Sequence, residues 1–244
     1  MSFSQPTKSS NPAKKFISFS KGKWKWYDKE NETDVDVQLP LYFVILDDLF
    51  TIKGWSDAHE SYIYSNEVHN TNEKLTIKSF KPGVNIVGYY SDIKANIKEV
   101  GGKYCKSIYA LVFDKEFNTE LVNISISGAA LGPWIESKIK PNSQSVALLP
   151  DIKKDQKGSV EFFVPSYGAY KIPDEMIEKA TEADKELQEY LQQYKSGKEA
   201  KEVETEVAYD EASQELELER ADLEKQADDY VASVLGKKED DLPF

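Results

Sequence analysis

Short runs of β-branched and aromatic residues recur along most of this chain, and they constrain its fold more than any other feature. They are Trp24–Tyr27, Leu41–Leu46, Tyr62–Tyr64, Leu75–Phe80, Lys106–Phe113, Glu120–Ile126, Ser145–Leu149 and Ser159–Val164. Turn residues such as Pro82-Gly83, Gly101-Gly102 and Gly158 separate many of them, so each run reads as a strand ended by a turn. Two stretches read as helices, Val84–Val100 and Gly128–Lys138. Many short strands with inserted helices predict a mainly β, α+β domain over residues 15–171. A five-stranded OB-like barrel, or else a curved sheet, is the most economical form.

The pattern changes at residue 172. Pro173 with Asp174 and Glu175 is a helix start, proline in the first turn and acids at the positive end of the dipole. Met176, Ala180, Ala183, Leu187, Tyr190 and Tyr194 then follow at heptad-like spacing until Gly197. A second helical stretch is expected from about Val207 to Leu235, stopping at Gly236. Residues 172–236 therefore read as an acidic helical tail and residues 237–244 as a separate tip. Residues 1–14 read as a disordered basic arm rich in Ser, Asn, Pro and Lys.

Charge follows the same division. The net charge of −12 over 244 residues hides a contrast. Residues 172–244 carry nine Lys and Arg against 23 Asp and Glu, a net of −14, while residues 1–171 are near +2. Up to Lys29 there are seven lysines and one acid, Asp28. A basic head joined to an acidic tail is compatible with nucleic-acid binding, which the overall charge alone would argue against. The longest apolar run, Leu39 to Leu46, is far too short to span a membrane. The polar residues Met1 to Asn11 do not form a secretion signal. Cys105 is the sole cysteine, so a reducing, cytoplasmic setting is expected.

Lys21-Gly22-Lys23-Trp24-Lys25-Trp26-Tyr27 interleaves cations with aromatics. On a strand Trp24 and Trp26 share one face, and Lys23, Lys25 and Tyr27 the other. Two indoles roughly 7 Å apart suit stacking on successive bases of a single strand. The lysines, with Lys8, Lys14 and Lys15 beyond them, suit phosphates. The alternative is that the indoles are core, and the sequence leaves both open. Lys53, Trp55, Tyr62 and Tyr64 repeat the pattern. Trp134 is expected in the core. Residues 1–171 contain no arginine, which favours phosphate contact over reading of bases.

The chain ends Glu239-Asp240-Asp241-Leu242-Pro243-Phe244. An acid–acid–aliphatic–Pro–Phe ending arises by chance on the order of once in 10⁵ chains. The Phe244 ring suits an apolar pocket, its α-carboxylate a basic rim, and Asp240 and Asp241 a basic surround. This ending resembles the C-terminal tip of bacterial single-stranded-DNA-binding proteins, which implies that Asp240, Asp241, Leu242, Pro243 and Phe244 recruit replication or repair partners. The body departs from that family. Its domain is longer, and its tail is helical and charged where the bacterial tail is rich in Gly, Pro and Gln. Leu46 to Asp57, continuing to Tyr64-Ser65-Asn66-Glu67-Val68, is similar to a segment of bacteriophage replication-type proteins, implying a phage-encoded DNA-binding protein.

No phosphate loop, zinc-type cysteine pair or catalytic Ser/His/Asp order is present. Asp47, Asp48, Asp57, His59, Glu60 and His69 are the remaining candidates for a metal nuclease, at spacings that fit no motif. The expectation is a non-enzymatic single-stranded-DNA-binding protein without cofactor. An assembly protein using the helical tail is the alternative.

Overall fold

A computed structural model describes residues 11–140 and 144–195. Most of the arm expected over residues 1–14, the second helix expected in the tail and the C-terminal tip lie outside the described residues. Thirteen strands and three α-helices follow in the order β1 (Lys15–Ser20), β2 (Lys23–Asp28), β3 (Thr33–Asp36), β4 (Leu41–Ser56), β5 (Ser61–Ser65), β6 (Lys74–Ser79), β7 (Asn85–Tyr89), α1 (Tyr90–Glu99), β8 (Gly102–Phe113), β9 (Thr119–Ser127), α2 (Leu131–Glu136), β10 (Gln144–Leu148), β11 (Lys153–Lys157), β12 (Val160–Val164), β13 (Tyr167–Lys171) and α3 (Asp174–Lys195). The described chain is mainly β with inserted helices, as expected.

Eleven strands form one sheet in the order β3-β2-β1-β9-β8-β4-β5-β6-β7, while β10 pairs with β4 and β13 with β10. The ends of that path, β3 and β7, do not pair with each other, so the sheet is open and larger than the five-stranded barrel suggested by the sequence. It nevertheless curls. Trp24 on β2 meets Tyr167 on β13 with ring centroids 6.2 Å apart, closing two wings of the sheet over a shared core. β11 and β12 form a separate two-stranded sheet. Its Phe163 ring lies over the β1–β2 turn, where a Cβ on Gly22 would come within 2.8 Å of it.

The sixteen-residue β4 organises the whole. Its partner positions on β8 run smoothly except that Ile45 faces Ala110 and Asp47 faces Tyr109, leaving Leu46 as an extra residue. This β-bulge shifts the alternation by one, so Tyr42 and Val44 share a face with Asp47, Leu49, Thr51, Lys53 and Trp55.

One face of the sheet is apolar. Ile17, Trp24, Phe43, Ile45, Ile108, Val122, Ile124, Ile126, Val146 and Leu148 are buried in one cluster with Trp134 of α2. Phe50, Ile52, Ile63, Leu75 and Ile77 continue it beneath Ile93 and Ile97 of α1. The opposite face is covered at one end by α3, whose Met176, Leu187 and Leu191 bury Val44, Leu49, Tyr109, Leu111 and Leu121. The heptad-like seam of the tail is thus a sheet-packing stripe.

The apolar spacing predicts one helix over Val84–Val100. The structure divides it, with Asn85–Tyr89 as an edge strand on β6 and Tyr90–Glu99 as helix. The Pro82-Gly83 turn folds the chain back, so Ile77 and Ile86 become cross-strand partners. The second expected helix contracts to Leu131–Glu136 after a short 3₁₀ turn.

Candidate nucleic-acid interface

Cross-strand register decides which side chains share a face, because directly opposed residues point the same way. Lys103 of β8 faces Lys53 of β4, Lys53 faces Tyr64 of β5, and Tyr64 faces Lys78 of β6. Beside this row Trp55 faces Tyr62. Phe80, just beyond β6, stacks on Tyr62 at 5.8 Å and tilts against Tyr64 at 4.9 Å. Three cations and four aromatics therefore occupy one end of the polar face, where all seven side chains are half-buried.

Between this end and α3 the face is paved with small polar side chains. Thr51 faces Cys105, Cys105 faces Ser127, and Ser107 faces both Leu49 and Ser125. The Cys105 thiol lies 3.0 Å from Ser125 Oγ, and Asn123 Nδ2 donates to Ser107 Oγ at 2.8 Å. Ser107 donates in turn to Glu67, and Tyr109 Oη donates to the other Glu67 oxygen at 2.9 Å. Glu67 is half-buried as a residue, but its carboxylate is enclosed. Burial pushes its pKa up, against the hydrogen bonds from Ser107 and Tyr109 and the charge of Lys53. Asp47, at the foot of α3, accepts hydrogen bonds from Gln188 Nε2 at 3.2 Å and from the Asp48 backbone N–H at 2.9 Å. Its carboxylate also lies 3.0 Å from His69 Nε2.

The first tract behaves differently from the second. The alternation along β2 is as expected, but the tryptophans point into the apolar face. Trp24 is 1% exposed, packed against Phe19 and Tyr167, with no hydrogen-bond partner for its Nε1. It is a core side chain and cannot stack on a base. Trp26 is half-buried on the same face, packed against that core, with Lys15 Nζ 4.7 Å above its ring. The paired-indole platform is therefore corrected to a core anchor.

Lys23, Lys25 and Tyr27 lie on the polar face, where Ser20 faces Lys23 and Ser18 faces both Ser125 and Lys25. Lys23 pairs with Asp36 at 2.5 Å and Lys25 with Asp34 at 3.3 Å, so acids of β3 already engage this tract. Lys21 is exposed in the β1–β2 turn at φ 50°. The structure adds four residues to the sequence-derived set: Phe16, 39% exposed, and Lys78, Phe80 and Lys103. For Lys78 and Phe80 alone a local signal exists in the sequence, the alternation Lys74, Thr76, Lys78, Phe80 against Leu75 and Ile77.

The carboxylates considered for a nuclease do not converge. Asp48 lies on the apolar side of β4, 2.8 Å from Lys106 Nζ. Asp57, His59 and Glu60 occupy the β4–β5 connection, with His59 Nδ1 3.0 Å from Ser56 Oγ. Among the described residues no group of three or more His, Cys, Asp or Glu is placed to hold a metal ion, and no helix is long and apolar enough to cross a membrane. Compared with known proteins, the chain matches no protein-family model, no curated protein and no solved structure.

Proposed function

We propose that this chain binds single-stranded DNA without reading its sequence and brings replication or repair proteins to it through Asp240, Asp241, Leu242, Pro243 and Phe244. The observation that carries the DNA-binding part is the row Lys103–Lys53–Tyr64–Lys78 with Trp55, Tyr62 and Phe80 beside it on one face. Aromatics offer stacking surfaces for any base, and lysines attract phosphates as point charges. The strand would cross the sheet from the β2 side towards β6. That path is six strand spacings of about 4.8 Å, with room for roughly four extended nucleotides. Lys21, Lys23, Lys25 and Tyr27 lie at its start and Lys78 at its end.

The curl of the sheet around Trp24 and Tyr167 supports an elaborated OB-like barrel. The sequence resemblances support a phage-encoded protein acting in the host cytoplasm. Assembly through the helical seam is the weaker reading, because Met176, Leu187 and Leu191 are engaged by the chain's own sheet.

The test is a titration of tryptophan fluorescence with an unstructured oligodeoxynucleotide, the same sequence as duplex and the same sequence as RNA. Binding to the single strand, with loss on Trp55→Ala and Tyr64→Ala, is the expected result. Binding indifferent to both substitutions would place the interface elsewhere.

A further inference from the structure

We propose that copies of this chain associate head to tail, β3 of one copy adding to the sheet alongside β7 of the next. Among the described residues no strand pairs with the outer edge of either. The two are similar in length, four residues in β3 and five in β7. β7 is also poorly guarded for an edge. Val87 is 57% exposed and Tyr89 40%, whereas edge strands ordinarily protect themselves with charge or proline.

Charge selects the partner. Residues 28–36, the β2–β3 turn and β3 itself, carry Asp28, Glu30, Glu32, Asp34 and Asp36 against Lys29 alone. Residues 74–89, forming β6 and β7, carry Lys74, Lys78 and Lys81 and no acid. Lys74 Nζ sits 5.8 Å from the centre of the Tyr89 ring, placing positive charge at the β7 edge. β7 itself is uncharged, its lysines lying one strand in on β6, and Asp34 and Asp36 share their charge with Lys25 and Lys23 of β2. Pairing β7 with β7 would still bring only lysines near the seam, and β3 with β3 would set acids against acids. Only the mixed pairing joins opposite charges, and such a heterologous contact repeats into a row of copies. Asp34 and Asp36 share the polar face with Asn85, Val87, Tyr89, Lys74 and Lys78, so the same face continues from copy to copy. Growth in that direction follows the path proposed for the nucleic acid.

The experiment is sedimentation velocity of the full chain over a concentration series without nucleic acid, repeated on one long single-stranded oligonucleotide. Asp34→Lys with Asp36→Lys, Lys74→Glu with Lys78→Glu, and the exposed-site change Val87→Glu should each weaken self-association by roughly tenfold or more. Mixing the two charge-reversed proteins should restore it, because each then supplies the edge the other lacks. Restoration also shows that both variants are folded. A wild-type chain that stays monomeric in both settings, a variant that associates as well as wild type, or a mixture that restores nothing would overturn the proposal. Affinity for an oligonucleotide that fits a single copy is measured in parallel. A chain that associates but binds no single strand would sink the proposed function and leave this inference standing.

Discussion

Replacing Lys53, Lys78 and Lys103 together by glutamine tests the proposed interface by counting its charges. Each lysine that displaces a counterion from a single strand contributes about 0.7 to the slope of log affinity against log salt. The three lie in one cross-strand row, so the slope should become shallower by about 2. Between 50 and 200 mM salt that corresponds to an affinity drop smaller by roughly twentyfold than in the unmodified chain. The assay is a fluorescence titration with a short oligodeoxynucleotide at four or five salt concentrations, with thermal melting to confirm that the variant is folded. Lys106→Gln is the control, since Lys106 sits on the opposite side of the sheet beside Asp48 and should leave the slope unchanged. An unchanged slope in the triple variant, or an equal change in the control, would refute the assignment of this face.

Trp24→Ala should destabilise the fold by about 3–5 kcal/mol in chemical denaturation, because the ring is fully packed. Trp55→Ala should barely move the unfolding midpoint while weakening single-strand binding by about 1–3 kcal/mol; the reverse pattern would exchange their roles. Glu67 holds its proton more tightly folded than unfolded, so its contribution to stability is present below the ordinary glutamate value of 4.5 and is lost as pH rises towards the raised folded value. Glu67→Gln should abolish that part of the decline in urea-unfolding experiments from pH 4 upward; identical pH profiles would show that Glu67 is not its source. Removing residues 196–244 should tighten DNA binding at low salt by deleting a competing acidic segment, whereas truncation at residue 172 should destabilise the domain by uncovering the sheet beneath α3. Deleting Phe244 alone should abolish partner capture in a pull-down and leave DNA affinity intact; equal capture would end the recruitment reading.

Local alternation made much of the architecture legible. Eight strands were visible as β-branched and aromatic runs, and Pro173-Asp174-Glu175 marked the start of α3. What sequence could not provide was the side of the sheet on which the core would form. The Lys/Trp alternation of β2 defines two faces, but only the packing of Tyr167 and Phe19 against Trp24 identifies the indole face as interior. The seam of α3 was equally visible and equally undecided, since an apolar stripe does not state whether it meets a helix or a sheet. β1, β3, β7, β11 and β13 lie outside those runs, and the short edge strands β3 and β7 owe their conformation to a neighbour. The lysine row was hidden for a related reason. Lys53, Lys78 and Lys103 are far apart in sequence and meet only through the β4 ladders and the β5–β6 pairing.

The extra residue at Leu46 makes β4 tolerant of a change that its other positions would not survive. Upstream of it β4 presents Tyr42 and Val44 to the α3 side, and downstream it presents Asp47, Leu49, Thr51, Lys53 and Trp55 to the same side. Loss of that single codon would join Ile45 directly to Asp47, keep every partner on β8 and straighten the strand into one uninterrupted alternation. Loss of a codon from the regular ladder between Asp47 and Ile52, with the upstream half kept in place, would instead rotate Lys53 and Trp55 inward and turn Ile52 towards solvent. That outcome breaks a buried cluster, so evolution along this lineage should accept deletion at residue 46 far more readily than at its downstream neighbours.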